Sequence, residues 1–196
     1  RTIFKFIVMS GKAIILCAPS GSGKTTLAKF LLSNEKLNLK FSVSATTRKM
    51  RSNEQDGVDY NFLEIINFKN KINNGEFIEH EEVYQNVFYG TLKSDVKKLL
   101  QNHNLIFDVD VVGAISLKKY FFDKALTIFI NPPSLKVLED RLTQRGVNSQ
   151  DDLQERINKA KKEIKMKSTF DYSITNDDLE KAKLNIFEKV QGFLNN

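Results

Sequence analysis

Along this chain, short β-branched apolar runs alternate with longer stretches in which apolar residues recur every three or four positions. Lys12–Ala18, Asn104–Asp110 and Ala125–Ile130 are continuous enough to be strands buried on both faces, and Tyr172–Thr175 is a short fourth. Helical spacing predicts helices over Lys24–Ser33, Lys93–Asn102, Val112–Lys119, Ser134–Arg145, Asp152–Lys167 and Asp178–Leu194. In the fifth of these, Leu153, Ile157, Ala160 and Ile164 fall on one stripe. Ser149 with Asp152, and Asp177 with Glu180, fit capping boxes at helix starts. Strand–helix alternation implies an α/β class with a parallel sheet covered on both faces. Ser44–Gly90 departs from this rhythm: short strands (VDYNFL, EFIEHEEV) surround a helix near Ile66–Asn74. That stretch reads as a small α+β lobe inserted into the core.

Composition narrows the class. A chain of 196 residues with 41% hydrophobic residues is long and apolar enough for a sizeable core, which excludes a disordered or collagen-like protein. One cysteine, Cys17, excludes an internal disulfide and a cysteine-based zinc site, and points to a reducing, cytoplasmic setting and a small core residue. Apolar runs fall short of the roughly 18 residues that cross a bilayer. Arg1 to Val8, ahead of Met9, lack the apolar stretch and cleavage site of a signal peptide and are expected to be an upstream extension or a remnant of cloning. The net charge of +6 comes mainly from scattered lysines rather than a basic stripe with aromatics, which argues against nucleic acid as a partner. Arginine is more informative, because its fork grips phosphate at two points. Apart from Arg1 the arginines fall in two zones, Arg48 with Arg51, and Arg141, Arg145 and Arg156, which become candidate anion sites.

The first strand runs into Ala18-Pro19-Ser20-Gly21-Ser22-Gly23-Lys24-Thr25, followed by Thr26. This matches the phosphate-loop pattern G-x-x-x-x-G-K-[ST], with Ala18 in place of the first glycine. Small residues let successive backbone N–H groups curl around a phosphate, and the helix starting near Lys24 adds its positive end. Lys24 would reach the outer phosphates and the Thr25 hydroxyl would meet Mg²⁺. At a strand–helix junction, this is a nucleotide-binding loop.

Further along come FSVSATTRKMR, GVDYNF, GEFIEH, YGT, FDVDVVG, the Pro132–Gly146 segment with its PPS, R and RG, and Asn176-Asp177-Asp178. With APSGSGKTTL, and in this order over nearly the whole chain from about Met9, these stretches resemble the guanylate kinases, which transfer phosphate from ATP to GMP. The resemblance implies a P-loop nucleoside monophosphate kinase fold with a parallel-sheet core (9–43, 92–137 and 158–196), an inserted GMP-binding lobe (44–91) and a helical lid (138–157). It implies a GMP-phosphate clamp of Arg48, Arg51, Tyr60 and Tyr89, and a guanine pocket of Ser44, Glu79, Thr91 and Asp110. It places Asp108 with Thr25 at the Mg²⁺, and Arg141, Arg145 and Arg156 beside Lys24 and Arg48 as the catalytic cations. Asn176 and Asp177 belong near the ATP adenine by the same resemblance, and fit simple helix capping equally well. The family often has glutamine where Val112 stands, so no polar role is carried over there.

The physics of the residues agrees. Guanine presents N1–H and N2–H₂ side by side, and one carboxylate such as Glu79 accepts from both, while Ser44 and Thr91 hydroxyls suit its O6. Adenine offers a bare acceptor at N1, which a desolvated carboxylate rejects. Each residue alone has a plainer reading: Tyr60 as lobe core, Glu79 as a surface acid beside Glu81 and Glu82, the arginines as exposed ion-pair partners, Asp108 and Asp110 as a cap or a structural pair. Their ordered combination favours the kinase. His80 and His103 lack metal-ligand spacing. The rivals are a guanylate-kinase-like module that binds protein without catalysis, a kinase for another nucleoside monophosphate, and a general triphosphate hydrolase. An intact phosphate loop speaks against the first and Glu79 with Ser44 against the second. Deoxy-GMP is expected as a second acceptor, and monomer and dimer both remain open.

Overall fold

The computed structural model describes residues 11–144 and 150–196. The predicted extension before Met9, the Ser149 cap and Arg145 lie outside the described residues. In chain order the regular elements are β1 (Ala13–Cys17), α1 (Lys24–Leu32), β2 (Leu39–Phe41), β3 (Ala45–Thr46), β4 (Asn61–Phe62), α2 (Ile65–Asn73), β5 (Phe77–Tyr84) and β6 (Val87–Leu92). There follow α3 (Lys93–Leu99), β7 (Asn104–Val109), α4 (Val111–Phe121), β8 (Ala125–Asn131), α5 (Leu135–Gln144), α6 (Gln150–Lys165), β9 (Tyr172–Thr175) and α7 (Leu179–Asn195).

Five strands form a parallel sheet in the order β2-β7-β1-β8-β9. Every residue of β1 is buried, as a central parallel strand requires. Its side chains alternate between two cores. Ile14 and Leu16 pack with Leu27 and Leu31 of α1 and Ile186 of α7, while Ala13, Ile15 and Cys17 pack with Phe107, Val111 and Leu117 on the α3–α4 side. Leu16 stands opposite Asp108 and Cys17 opposite Val109. The phosphate loop and the acidic end of β7 therefore leave the sheet side by side, at the carboxyl edge where open α/β sheets bind ligands.

Two smaller cores stand apart. Ala45, Phe68, Phe77, Phe88 and Leu92 fill the space under a mixed sheet of order β4-β3-β6-β5, with Phe68 and Phe77 stacked at 4.4 Å. Leu138 and Leu142 of α5 meet Leu153, Ile157 and Ala160 of α6. The predicted stripe on α6 thus divides: its first three members face α5, and Ile164 packs on the main core.

Several local expectations change. Of VDYNFL only Asn61–Phe62 is strand, because Asp56–Tyr60 is a turn closed by Gly57 N to Tyr60 O at 2.8 Å. β2, β3 and β6 escaped the sequence reading. The cap of α7 is Asp178, whose carboxylate accepts from the Glu180 and Lys181 amides, so the cap falls one residue after the expected Asp177 and, with Lys181 three positions on, forms no box with Glu180.

Candidate functional site

Two clefts meet at the phosphate loop. One, of about 420 Å³, opens between the loop, β7, the inserted lobe and α6; the other, of about 500 Å³, lies between the loop, α5 and the start of α7. Gly21 and Gly23 line both.

The loop is shaped for an anion. Gly21 and Gly23 have φ of 92° and 90°, which a residue with a Cβ adopts only under strain. At Gly23 a Cβ would also stand 2.2 Å from Asn176 Nδ2. Ala18 is absent from the residues of positive φ, so alanine fills the pattern's first glycine position without backbone strain. Asn176, at the end of β9, is buried and donates from Nδ2 to Ser22 O at 2.9 Å, bracing the loop from behind. Ser22 Oγ is buried with no protein partner, a hydroxyl left over for a ligand.

Lys24 and Thr25 both lean toward Asp108. Lys24 Nζ is 2.7 Å from Asp108 Oδ1, and Thr25 Oγ1 donates to Oδ2 at 3.2 Å. Among the described residues no three acids or histidines cluster as a metal cage. A hydroxyl and one carboxylate on adjoining elements are nevertheless a fitting donor set for Mg²⁺, which keeps several waters and takes its remaining ligands from substrate phosphates.

The lobe brings the residues predicted for the acceptor to the same cleft. Ser44, Arg48, Arg51, Tyr60, Glu79 and Tyr89 line it with Asp108 from β7, Asp110 at the start of α4, and Arg156 from α6. The Arg48 guanidinium lies 5.3 Å from the Tyr60 ring centre and donates from Nε to Tyr89 Oη at 3.3 Å. Its fork bonds both oxygens of Glu54, at 2.7 and 3.0 Å, and this pairing holds the Glu54 carboxyl below its ordinary range. Glu54 also accepts from the Arg51 amide. Burial pushes the Tyr60 hydroxyl up to about 12, so it stays a donor.

Deeper in, Thr91 donates to Glu79 Oε1 at 2.6 Å. Thr91 is itself buried, and its one hydroxyl proton is spent on orienting that carboxylate. Burial pushes Glu79 up to about 7, with Thr91 pulling it down and Asp110 adding to the rise. Asp110 caps α4 by accepting from Gly113 N at 2.9 Å and takes Lys159 Nζ at 3.1 Å on its other oxygen. Capping and a place in the pocket are therefore compatible for Asp110. Burial opposes the Asp110 charge, but bonds from Glu81, Gly113 and Lys159 outweigh it and hold the carboxyl below its ordinary range. Glu81 is pushed the other way, by burial first, and keeps its proton for that bond.

In the second cleft stand Thr26, Arg141, Asn176 and Asp177, joined by Gln144 and Leu179. Arg141 donates to Gly21 O at 3.4 Å. All the sequence-predicted residues within the described range thus converge on the two clefts, Thr91 from just behind Glu79. The sequence reading missed Glu54, Glu81, Lys159 and Glu163. For the last two a signal existed: with Arg156 they recur at i, i+3 and i+7, the face of α6 next to its apolar stripe.

The family model for Guanylate kinase matches residues 10–195. The guanylate kinase of Bacteroides thetaiotaomicron is 48% identical over 195 residues, covering 98% of this chain and 95% of its own. That of Porphyromonas gingivalis is 48% identical over 93% of this chain and 98% of its own. The crystal structure of guanylate kinase from Anaplasma phagocytophilum superimposes with a TM-score of 0.75 at 30% identity, covering 93% of this chain and 86% of that one.

Proposed function

The chain belongs to the guanylate kinase family and transfers the γ-phosphoryl group of ATP to GMP, giving ADP and GDP; on that premise we propose how its residues divide the work. The observation that carries the division is the meeting of two clefts at Gly21 and Gly23, with Lys24 next to them in the chain and lining the lobe-side cleft. The 500 Å³ cleft receives the adenosine of ATP beside Arg141, Asn176 and Asp177, and the loop from Ala18 to Thr26 wraps its phosphates with the backbone N–H groups it leaves unbonded. The 420 Å³ cleft receives GMP: Glu79 accepts from guanine N1–H and N2–H₂, Thr91 fixes Glu79, and Ser44 and Asp110 complete the pocket. Arg48, Arg51, Tyr60 and Tyr89 hold the GMP phosphate, with Glu54 occupying the Arg48 fork and fixing that guanidinium beside Tyr60 and Tyr89.

A GMP phosphate oxygen attacks the γ-phosphorus; that O–P bond forms as the bond to the β,γ-bridging oxygen of ATP breaks, and ADP leaves. The protein has little covalent work, so positioning and charge decide the rate. Lys24 exchanges its contact with Asp108 for the transferred oxygens, and Arg48, Arg141, Arg145 and Arg156 add positive charge around them. Thr25 and Asp108 would hold Mg²⁺, which supplies charge neutralisation across the outer phosphates. The separate cores of the lobe and of the α5–α6 pair support an acceptor lobe over 44–91 and a lid over 138–157, closing on the core to exclude water. Ala160 still faces α5, so the lid's packing reaches one turn beyond that boundary.

No proposed contact touches the ribose 2′-hydroxyl, so dGMP is a second acceptor. No helix among the described residues is long and apolar enough to cross a membrane, and a cytoplasmic setting supplies both nucleotides. The test is ADP formation from Mg·ATP with GMP, dGMP, AMP, UMP and dTMP offered separately. Turnover with GMP and dGMP alone is expected; equal turnover with AMP would overturn the pocket, and none with any acceptor would overturn the transfer.

A further inference from the structure

Lys159 belongs to no motif, yet it lines the GMP cleft and bridges it from α6 to the cap of α4. Helix α6 turns Leu153, Ile157 and Ala160 toward α5 and presents Arg156, Lys159 and Glu163 to the GMP cleft. Lys159 Nζ reaches across to Asp110 Oδ2 at 3.1 Å and lies 3.8 Å from Glu163 Oε1. Asp110 in turn flanks the base-reading carboxylate: a Cβ on Gly113 would meet Glu79 Oε2 at 3.2 Å and Asp110 Oδ1 at 3.4 Å. The Lys159–Asp110 pair is partly withdrawn from water, with side chains 35% and 23% exposed, so it is worth more than a surface ion pair. Burial works against the Lys159 charge, and Asp110, Glu163 and Glu81 together outweigh it.

We propose that Lys159 is a positioning residue for phosphoryl transfer: its bond to Asp110 holds α6 against the guanine side of the cleft and so sets where Arg156, one turn earlier on the same helix, stands. The inference rests on the assignment of Asp110 and Glu79 to the guanine pocket. The side chain touches neither reacting phosphate; it acts through the helix that carries Arg156 and through the acid beside Glu79. A base seated on Glu79 and Asp110 thereby also fixes the lid helix, which couples acceptor binding to assembly of the charged shell around the transferred group.

The experiment is a double-mutant cycle on the full chain with Lys159→Met, Asp110→Asn and both together, plus Lys159→Arg, measuring kcat, the KM for GMP and for ATP, and the melting temperature. Lys159→Met is expected to lower kcat about tenfold at a melting temperature close to the parent's, and Lys159→Arg to recover it to within about threefold. The double variant is expected to be no slower than the slower single, because each change removes the same contact. Parental kcat in Lys159→Met, or losses that multiply in the double variant, would overturn the proposal. Should Asp110→Asn raise the KM for GMP while Lys159→Met leaves kcat at the parental value, the guanine pocket stands and the positioning role falls. Should Asp110→Asn change neither parameter, the pocket assignment of Asp110 falls and takes the proposal with it.

Discussion

The donor and acceptor sides of this cleft are built on opposite plans. The donor side is one contiguous loop at a strand–helix junction, and the groups it offers to phosphate are backbone amides, with Lys24 the one charged side chain of the loop and Asn176 bracing it from behind. The proposed acceptor side gathers Ser44, Arg48, Tyr60, Glu79, Tyr89, Thr91 and Asp110 from strands and turns far apart in sequence, and in that proposal it reads its ligand through side chains, hydroxyls and charged groups alike, held largely out of water. Backbone amides do not ionise near neutrality, so the groups the donor loop offers to phosphate are insensitive to pH and largely to the base attached. A buried carboxylate is the reverse. Burial raises Glu79 to about 7, so in the proposed pocket the desolvation that would make it select guanine also makes it depend on pH. On that proposal, specificity is concentrated on the side where charge is buried.

That contrast can be broken from either end. The largest effect is expected from Lys24→Ala, which removes the charge at the junction: ADP formation should fall about a thousandfold, with GMP binding measured by calorimetry little changed. Next is Glu79→Gln. An amide donor facing guanine N1–H should lower kcat/KM for GMP about a hundredfold while the KM for ATP stays within about twofold. The smallest is Asn176→Ala, which frees Ser22 O and slackens the loop. About fivefold weaker ATP binding, unchanged GMP binding and a loss of about 1 kcal/mol in unfolding free energy would place its effect wholly on the donor side.

The same contrast decides what could be read in the sequence. The phosphate loop is legible because its function is local: small residues, one lysine and one hydroxyl between a strand and a helix. β1, β7 and β8 are legible as continuous apolar runs, since strands buried on both faces have no alternation to disguise them, whereas β9 buries only Ile174 and is legible from its length and β-branched residues. β6 is not, because Gly90 and Thr91 interrupt its apolar pattern; yet a Cβ on Gly90 would meet the Phe77 ring at 2.9 Å. Glu54 stands in a polar stretch that reads as solvated loop, and only the fold-back of residues 48–54 turns it into the partner of Arg48. Lys159 hides beside Lys161 and Lys162, a run that resembles an ordinary exposed face until the phase of α6 is fixed by Leu153, Ile157 and Ala160. Resemblance supplied the acceptor residues where pattern alone left Glu79 one acid among several. Long-range pairs between charges are what one-dimensional spacing does not encode.

The most direct test of a guanine pocket read by one buried carboxylate is the pH profile of kcat/KM for GMP between pH 5.5 and 8, in the parent and in Glu79→Gln. Their ratio removes the titration of GMP itself. Because Glu79 must be ionised to accept from guanine and titrates at about 7, the ratio should be flat above that pH. Below it the ratio should fall about tenfold per pH unit. A ratio constant across the whole range would mean that Glu79 does not read the base.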